Sequence, residues 1–280
     1  MKEYTFKTLE DVYKNLDQVY EEYKSSGLIV IKGLDLSDQE HIELSSAVSS
    51  LISSNTDIKI SVKEVAPDPY RLDYSQVQYM PGPNSFILPM HLEHLETETA
   101  GSPIVLGVWR MVEFTAPAGT GDTVFVDTSK IFEDATPEMR DFLTKCQIQW
   151  NLQANPGDTT LYWGTATGLN MVSGKTTIRI EIKENESNVF PSNLQRYDGR
   201  TPTDEENELY SYCRDWYQNE VTSNSSRRYR HHWEKNDVLI FDVYRMAHGV
   251  YGGFEKGDRI LAGILSAHEN DNPLMNRRQR

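Results

Sequence analysis

The sequence is poor in cysteine and in long apolar runs, and each shortage excludes a class of protein. Its 280 residues contain two cysteines, Cys146 and Cys213. Two thiols are too few for a disulfide framework and do not have the paired spacing of a zinc site, so we expect both to be buried and reduced. No window approaches the roughly 20 apolar residues that a membrane helix requires. The sequence therefore predicts neither a disulfide-stabilised nor a membrane-spanning protein.

Basic residues are also scarce relative to acidic ones. Lys and Arg number 28 against 42 Asp and Glu, which gives a formal net charge of -14. Nucleic acids and anionic membranes are bound by basic surfaces, so neither is an expected partner. The N-terminal residues lack the apolar core and cleavage site of a signal peptide. We therefore predict a cytoplasmic protein, with an oligomeric state that the sequence does not specify.

The remaining composition favours one folded domain. A hydrophobic fraction of 38% is sufficient for a core, and 280 residues fit one large domain. We interpret residues 1–280 as a single domain in three parts. These parts are a helix-strand-helix cover at 1–56, a β-rich core with helical insertions at 57–268, and a tail at 269–280.

The first part of the chain has clear local signals. Apolar residues recur at helical spacing from Leu9 to Tyr23, and Gly27 supplies the end of that helix. Residues 28–31 form an apolar run typical of a buried strand. Ser37 to Glu40 then has the form of a capping box, which predicts the start of a second helix.

Beyond residue 57 the patterns predict many short strands, with helices beginning after Thr136 and Thr203. Short strands separated by turn signals, with helices gathered near the ends of the chain, favour an antiparallel double-sheet barrel. We therefore predict a mainly β fold with flanking helices. The predicted strands include residues 58–62, 104–114, 122–127, 147–152, 159–163, 176–182, 238–242 and 260–265.

A histidine and a carboxylate lie two residues apart in the extended-looking stretch that begins at Phe86. Side chains at positions i and i+2 of a strand project to one face, so His91 and Glu93 are placed to bind one metal ion. His94 and Glu96 have the same spacing. The spacing alone leaves both pairs open.

A third ligand is predicted far downstream, where the apolar strand at 238–242 runs into His248. Two histidines and one carboxylate, with the other coordination positions open, form the ligand set of non-haem Fe(II) oxygenases. A lone histidine after an apolar strand is more often structural, so this prediction depends on all three ligands being present together. Arg259 follows at the head of another apolar strand, where its guanidinium can bind a carboxylate beside the metal.

Three motifs, in order along the chain, resemble the TauD/TfdA superfamily of Fe(II)/2-oxoglutarate-dependent dioxygenases. They are Leu88-Pro-Met-His91-Leu-Glu93, then the segment 121–127, then the segment 233–242 leading into His248 and Arg259. The His-x-Glu form is similar to the clavaminate synthase-like branch, whose members modify amino acids and their derivatives. The resemblance implies a double-stranded β-helix, or jelly roll, as the core.

The resemblance also implies a role for each site residue. His91, Glu93 and His248 hold Fe(II), while the hydroxyl of Thr123 and the guanidinium of Arg259 bind a carboxylate of 2-oxoglutarate. The Leu-Pro-Met before His91 is similar to the family's approach to its first histidine, which favours this pair over His94 and Glu96.

The implied activity is oxidation of a small polar metabolite, such as a free amino acid or a derivative. Fe(II), 2-oxoglutarate and O2 are the implied cofactors, and succinate and CO2 the co-products. Hydroxylation is the expected outcome, with desaturation and cyclisation as alternatives, whereas related halogenases replace the carboxylate at the position of Glu93 with a small residue. The competing interpretation is a non-catalytic jelly roll that binds a metal or a sugar. An oxygenase acting on nucleic acid or protein is disfavoured by the acidic composition.

Other polar residues are weaker candidates. Gln78 and Tyr79 precede the predicted metal strand in a turn-rich stretch, where substrate contacts often lie. Arg245 either has a structural role or meets an acidic group of the substrate. The basic stretch 227–233 is interpreted as a solvated loop near the pocket, and its His231 and His232 as poor rivals for the metal, because adjacent strand residues face opposite ways.

Overall fold

The computed structural model describes most of the chain, including both predicted histidine ligands and the predicted carboxylate-binding arginine. It identifies the helices and strands within these ranges and the contacts that they make. The residues described are 2–63, 71–73, 86–92, 104–152, 160–182, 193–255 and 257–268.

The helices begin where a side chain caps the N-terminus. Thr8, Ser37 and Thr203 each accept a hydrogen bond from the backbone three residues later, and the acidic residue at that position completes a capping box. Thr136 caps a helix whose first residue is Pro137. The helices are α1 (Leu9–Lys14), α2 (Leu16–Ser26), α3 (Asp38–Asn55), α4 (Thr128–Asp134), α5 (Pro137–Lys145) and α6 (Asp204–Thr222).

The single helix predicted from Leu9 to Tyr23 is in fact two helices, α1 and α2, which meet at Asn15. The Asn15 backbone is not helical, and its side-chain amide donates to the carbonyl of Asp11 at 2.8 Å. Asparagine side chains compete in this way with the helical backbone pattern. The apolar spacing continues across the break, which is why the sequence did not reveal it.

The strands follow the apolar patterns closely, although the strand predicted at 58–62 begins at Ile60 and the one predicted at 176–182 ends at Ile178. The basic stretch 227–233, predicted as a loop, contains a strand. The strands are β1 (Lys2–Tyr4), β2 (Leu28–Ile31), β3 (Ile60–Lys63), β4 (Arg71–Asp73), β5 (Phe86–His91), β6 (Ile104–Phe114), β7 (Thr123–Asp127), β8 (Cys146–Leu152), β9 (Thr160–Thr165), β10 (Thr167–Leu169), β11 (Thr176–Ile178), β12 (Asn193–Tyr197), β13 (Arg228–His231), β14 (Val238–Asp242), β15 (Met246–Tyr251) and β16 (Arg259–His268).

Two sheets form the core. The larger has seven strands in the order β1-β2-β14-β6-β16-β3, with β4 also paired to β16, and the smaller has four strands in the order β13-β7-β15-β5. One apolar cluster joins their inner faces, with Trp109 and Phe241 from the larger sheet and Phe125 and Met246 from the smaller. These strands are antiparallel, apart from the β1 and β2 pair. The predicted mainly β fold is confirmed.

Helices cover the outer faces of both sheets. Along β14, Leu239 and Phe241 point into the space between the sheets, whereas Val238 and Ile240 pack outward against α1, α2 and α3. This alternation is the period of two expected of a strand. On the other side α4, α5 and α6 pack on the outward residues of β7 and β15. The interior between the sheets is thereby screened from water and becomes the natural place for a site.

Both cysteines are buried, as predicted: Cys146 begins β8, and Cys213 lies on the buried face of α6. Cys146 and Cys213 are buried free thiols, and burial raises their pKa values to about 12 and about 11. A thiol with a raised pKa is chemically inert at neutral pH.

None of the helices within the described ranges is long and apolar enough to cross a bilayer. The division into parts at 1–56, 57–268 and 269–280 stays a prediction, and the tail lies outside the described residues.

Candidate functional site

The two predicted histidine ligands lie side by side in the smaller sheet. His91 is the last residue of β5, and it is paired in register with His248 on β15. The centroids of the two imidazole rings are 4.4 Å apart, with an angle of 60° between the ring planes. Histidine nitrogens bind metals at about 2.1 Å, so two rings at this separation can share one ion.

Backbone carbonyls orient both imidazole rings. Nδ1 of His91 lies 2.8 Å from the carbonyl oxygen of Pro89, and Nδ1 of His248 lies 3.4 Å from that of Met246. A ring nitrogen that bonds a carbonyl must carry the hydrogen, which leaves the lone pair on Nε2. The tautomer of both residues therefore suits metal binding through Nε2.

Aromatic side chains surround His248, which is fully buried. The ring centroids of Trp109, Phe241 and Phe125 lie 5.0, 5.6 and 5.9 Å from that of His248. Trp109 is paired across the sheet with Gly263, and a Cβ atom at that glycine would lie 3.0 Å from two atoms of the indole. Because glycine has no side chain, the indole can occupy this space. A close approach of this kind is a common reason for glycine inside a strand. The result is an apolar, water-poor wall beside the histidine.

The predicted carboxylate ligand Glu93 lies outside the described residues, as do His94, Glu96, Gln78 and Tyr79. Within the described part of the chain, no three His, Cys, Asp or Glu side chains are grouped closely enough to hold a metal ion. The two histidines are therefore the described portion of the predicted triad.

Arg259 and Thr123 meet in the interior, where both side chains are almost completely buried. Arg259 begins β16; its Nε donates to the carbonyl of Gly121 at 3.0 Å, and its Nη2 donates to the hydroxyl of Thr123 at 3.1 Å. The guanidinium carbon also lies 5.8 Å from the ring centre of Trp233. A buried cation next to a hydroxyl is a favourable place for a carboxylate, because the anion compensates the charge and accepts the hydrogen bonds.

The register of the smaller sheet relates this anion site to the histidines. Phe125 is paired with His248, and Thr123 lies two residues earlier on the same strand. Two residues of a strand span about 7 Å, so the Thr123 and His248 levels differ by that amount along the strand. This spacing suits a molecule with a carboxylate at one end and a metal-binding group at the other.

Arg245 is engaged in a structural ion pair. Its side chain is fully buried, its Nε donates to Asp127 at 2.8 Å, and its Nη2 makes a second bond to the same carboxylate. It also donates to the carbonyls of Lys24 and Ser25 at the end of α2. Burial alone would raise the pKa of Asp127, but the hydrogen bonds and charge of Arg245, together with Ser129, hold it below its usual value. This geometry favours the structural alternative for Arg245 over a substrate contact.

Two of the three arginines in the basic stretch 227–233 pair with acidic neighbours, and Arg228 donates instead to the carbonyls of Val221 and Thr222 and to the hydroxyl of Tyr251. Arg227 bonds Asp134 and Glu220, and Arg230 bonds Asp122. His231 is buried 3.3 Å from Asp237, and burial lowers its pKa against the opposing effect of that carboxylate. His232 is exposed and lies 2.9 Å from Asp122. The two rival histidines therefore contact carboxylates of their own, and the stretch does not form an open basic surface.

Two residues of the site had no role predicted from sequence, Trp109 beside His248 and Trp233 beside Arg259. For Trp109, the glycine at position 263 inside an apolar strand is a sequence feature from which a close approach of a bulky side chain could have been inferred. No local pattern pointed to the hydrogen bond of Trp233, because its partner Thr123 is 110 residues away.

Comparison with known proteins identifies the chain. A model of the taurine catabolism dioxygenase TauD, TfdA family matches residues 4–265. The chain belongs to this family of dioxygenases. The dioxygenase therefore uses Fe(II), 2-oxoglutarate and O2, and the prediction of an enzyme is confirmed over that of a non-catalytic binding protein. No curated protein matches the sequence of the dioxygenase.

Solved structures share the fold of the dioxygenase at low identity. A taurine dioxygenase from Burkholderia xenovorans is 13% identical, with a TM-score of 0.61, 91% of this chain covered and 80% of the other. AAD-2, solved in complex with Mn(II) and N-oxalylglycine, is 11% identical, with a TM-score of 0.59 and coverage of 91% and 87%. The jelly-roll core is confirmed by this likeness. Assignment to the clavaminate synthase-like branch stays a prediction.

Proposed function

We propose that His91, Glu93 and His248 hold the iron of this dioxygenase, and that Arg259 and Thr123 bind the distal carboxylate of 2-oxoglutarate. The observation that carries this proposal is the contact of the His91 and His248 rings, at 4.4 Å, near a buried arginine that donates to Thr123. Imidazole nitrogens are suitable ligands for Fe(II), and Glu93 follows His91 by two residues in the chain.

In this proposal, the residues of the chain bind the iron and 2-oxoglutarate, orient the metal ligands, and exclude water from the site. Iron, 2-oxoglutarate and O2 supply the oxidising chemistry when bound, with succinate and CO2 as co-products. The carbonyls of Pro89 and Met246 hold the imidazoles in one tautomer. Arg259 neutralises the distal carboxylate in the interior. The aromatic wall around His248 keeps water from the reacting C–H bond.

The pairing of His91 with His248 supports His91 and Glu93 as the ligands contributed by this segment, rather than His94 and Glu96. In an extended chain, side chains at positions i and i+3 project to opposite faces, so the two pairs are not equivalent. The carboxylate at Glu93 also argues against halogenation, since related halogenases have a small residue there.

Replacing Glu93 with alanine is expected to lower the affinity for Fe(II) by about 100-fold or more. Removing a residue that merely hydrogen-bonds a metal ligand already costs about 10- to 100-fold, and Glu93 is proposed to bind the metal itself. Competition with a chelator measures this affinity. Glu96→Ala is the matched control and is expected to bind iron like the wild type. The opposite result would assign the metal to the second pair.

The proposed substrate is a small polar metabolite, such as a free amino acid or a derivative. Two observations support this class: the likeness of the His-x-Glu motif to a branch that acts on amino acids, and the formal net charge of -14, which disfavours a nucleic acid as the substrate. Hydroxylation is the proposed outcome, with desaturation and cyclisation as alternatives. Gln78 and Tyr79 stay predicted substrate contacts.

Succinate release tests this proposal directly. The enzyme is supplied with Fe(II), 2-oxoglutarate and O2 together with single members of a panel of amino acids and small organic acids. We expect one group of small polar compounds to raise succinate formation above the level seen without them, and His248→Ala to remove the increase. Stimulation by a peptide or an oligonucleotide alone would contradict the substrate class while preserving the dioxygenase assignment.

A further inference from the structure

The hydroxyl of Thr123 has an unusual pair of neighbours. Its Oγ1 accepts a hydrogen bond from Nε1 of Trp233 at 2.9 Å and another from Nη2 of Arg259 at 3.1 Å. Indole and guanidinium groups are donors only and cannot accept a hydrogen bond. Both lone pairs of the hydroxyl are therefore used, and its direction of donation is restricted.

The hydrogen of this hydroxyl must consequently point to a third partner. Among the described residues, no acceptor bonds it, and Thr123 itself is fully buried. A buried hydroxyl that can only donate is suited to an anionic oxygen, and a charge-assisted hydrogen bond is roughly twice as strong as a neutral one. Without the indole, one lone pair would be released and the hydroxyl could rotate.

We propose that Trp233 is a positioning residue for the co-substrate: its indole N–H fixes the Thr123 hydroxyl as a donor toward the distal carboxylate of 2-oxoglutarate. This inference rests on the proposed binding of that carboxylate by Arg259 and Thr123. Trp233 does not need to touch 2-oxoglutarate. It acts by setting the orientation of the hydroxyl before the co-substrate arrives, and such preorganisation lowers the entropic cost of binding.

The surroundings of Trp233 hold the indole in place. The side chain is 2% exposed, and the ring of His231 packs edge-on against it with centroids 4.5 Å apart. His231 in turn contacts Asp237, which accepts a hydrogen bond from Lys32 at 2.7 Å. The indole is thus packed against His231, which is itself held by Asp237.

A double-mutant cycle tests the inference through the dissociation constant of 2-oxoglutarate. Trp233→Phe keeps an aromatic ring but removes the N–H, and Thr123→Val keeps the branched shape but removes the hydroxyl. We expect Trp233→Phe to weaken 2-oxoglutarate binding about five- to tenfold, the value of one hydrogen bond. In the Thr123→Val background the same change should cost less than about twofold, because partners acting through one hydrogen bond are not additive.

Anaerobic titration of the Fe(II) enzyme with 2-oxoglutarate measures each constant, and chelator competition checks that iron affinity is unchanged. Trp216→Phe on α6, where the side chain packs in the helical layer, is the matched control and should bind 2-oxoglutarate normally. If Trp233→Phe does not fold, benzothienylalanine at position 233 replaces the N–H with sulfur and retains the shape of the ring.

Two results would overturn the role of Trp233 alone. One is an unchanged constant for Trp233→Phe or the sulfur analogue, and the other is an equal loss in both backgrounds, which indicates packing rather than action through the hydroxyl. If Thr123→Val still weakens 2-oxoglutarate binding in either case, the proposed anion site stands and only the role of Trp233 is lost. An unchanged constant for Thr123→Val would instead remove Thr123 from the anion site, and the inference would fall with that part of the proposed function.

Discussion

Replacing His248 with alanine is expected to abolish the weak visible charge-transfer band that the enzyme should show with Fe(II) and 2-oxoglutarate in the absence of oxygen. The band requires 2-oxoglutarate to be bound to the iron. His248 is one of the two described histidines that we propose as ligands of that iron. The ring is buried between His91 and three aromatic side chains, so no other described side chain can readily replace it. Anaerobic absorption spectroscopy measures the change.

His268→Ala provides the matched control for this experiment. His268 ends β16 and is only half-buried, so its removal should leave the band intact. Circular dichroism on both variants separates loss of iron from loss of fold. Retention of the band in His248→Ala would exclude this residue as a ligand, and His91→Ala would then show whether the other histidine binds the metal.

Replacing Arg259 with leucine should weaken 2-oxoglutarate binding by about 2–5 kcal/mol, the usual cost of truncating one partner of a buried charge pair. That corresponds to a loss on the order of 30- to several-thousand-fold in affinity. The side chain is 1% exposed and its neighbour Thr123 is fully buried, so water cannot easily replace the lost charge. Titration with 2-oxoglutarate under anaerobic conditions measures the affinity.

Two companion variants make the Arg259 experiment specific. Arg259→Lys keeps the charge but loses the planar fork of donors, so its affinity should lie between those of the wild type and Arg259→Leu. Arg214→Leu on α6 removes a surface arginine that pairs with Asp215, and it should have no effect. Normal affinity in Arg259→Leu would refute the carboxylate-binding role.

The sequence was informative about the metal and the anion because strand geometry is regular. Side chains two residues apart share a face, so His91 with Glu93 could be recognised without a structure. An apolar run that ends in a histidine, followed by an arginine at the head of the next run, predicted His248 and Arg259 on adjacent structural segments. The structure brings the two histidines into contact and turns Arg259 inward. The ligand roles themselves stay predictions until the variants are measured.

The role of Arg245 could not be read from the sequence. A charged residue three positions before a metal-binding histidine is compatible with either packing or substrate binding. Its partner Asp127 is 118 residues away, at the end of a different strand. Only the folding of β7 beside β15 brings the two together, and a buried pair of this kind cannot be predicted from local spacing. The break at Asn15 escaped prediction for a different reason, since the apolar period continued across it.

By itself, the sequence determined the mainly β architecture and most of the helices and strands, because these depend on local periodicity. The residues proposed for iron and 2-oxoglutarate were predicted from short spacings together with the resemblance to a known family. The tertiary structure decided which of those residues meet. It paired His91 with His248 and brought Arg245 into an ion pair with Asp127. It also placed the indole N–H of Trp233 within hydrogen-bonding distance of the hydroxyl of Thr123. Such contacts join strands more than 100 residues apart and arise from sheet register and packing, neither of which is written in any local stretch of the chain.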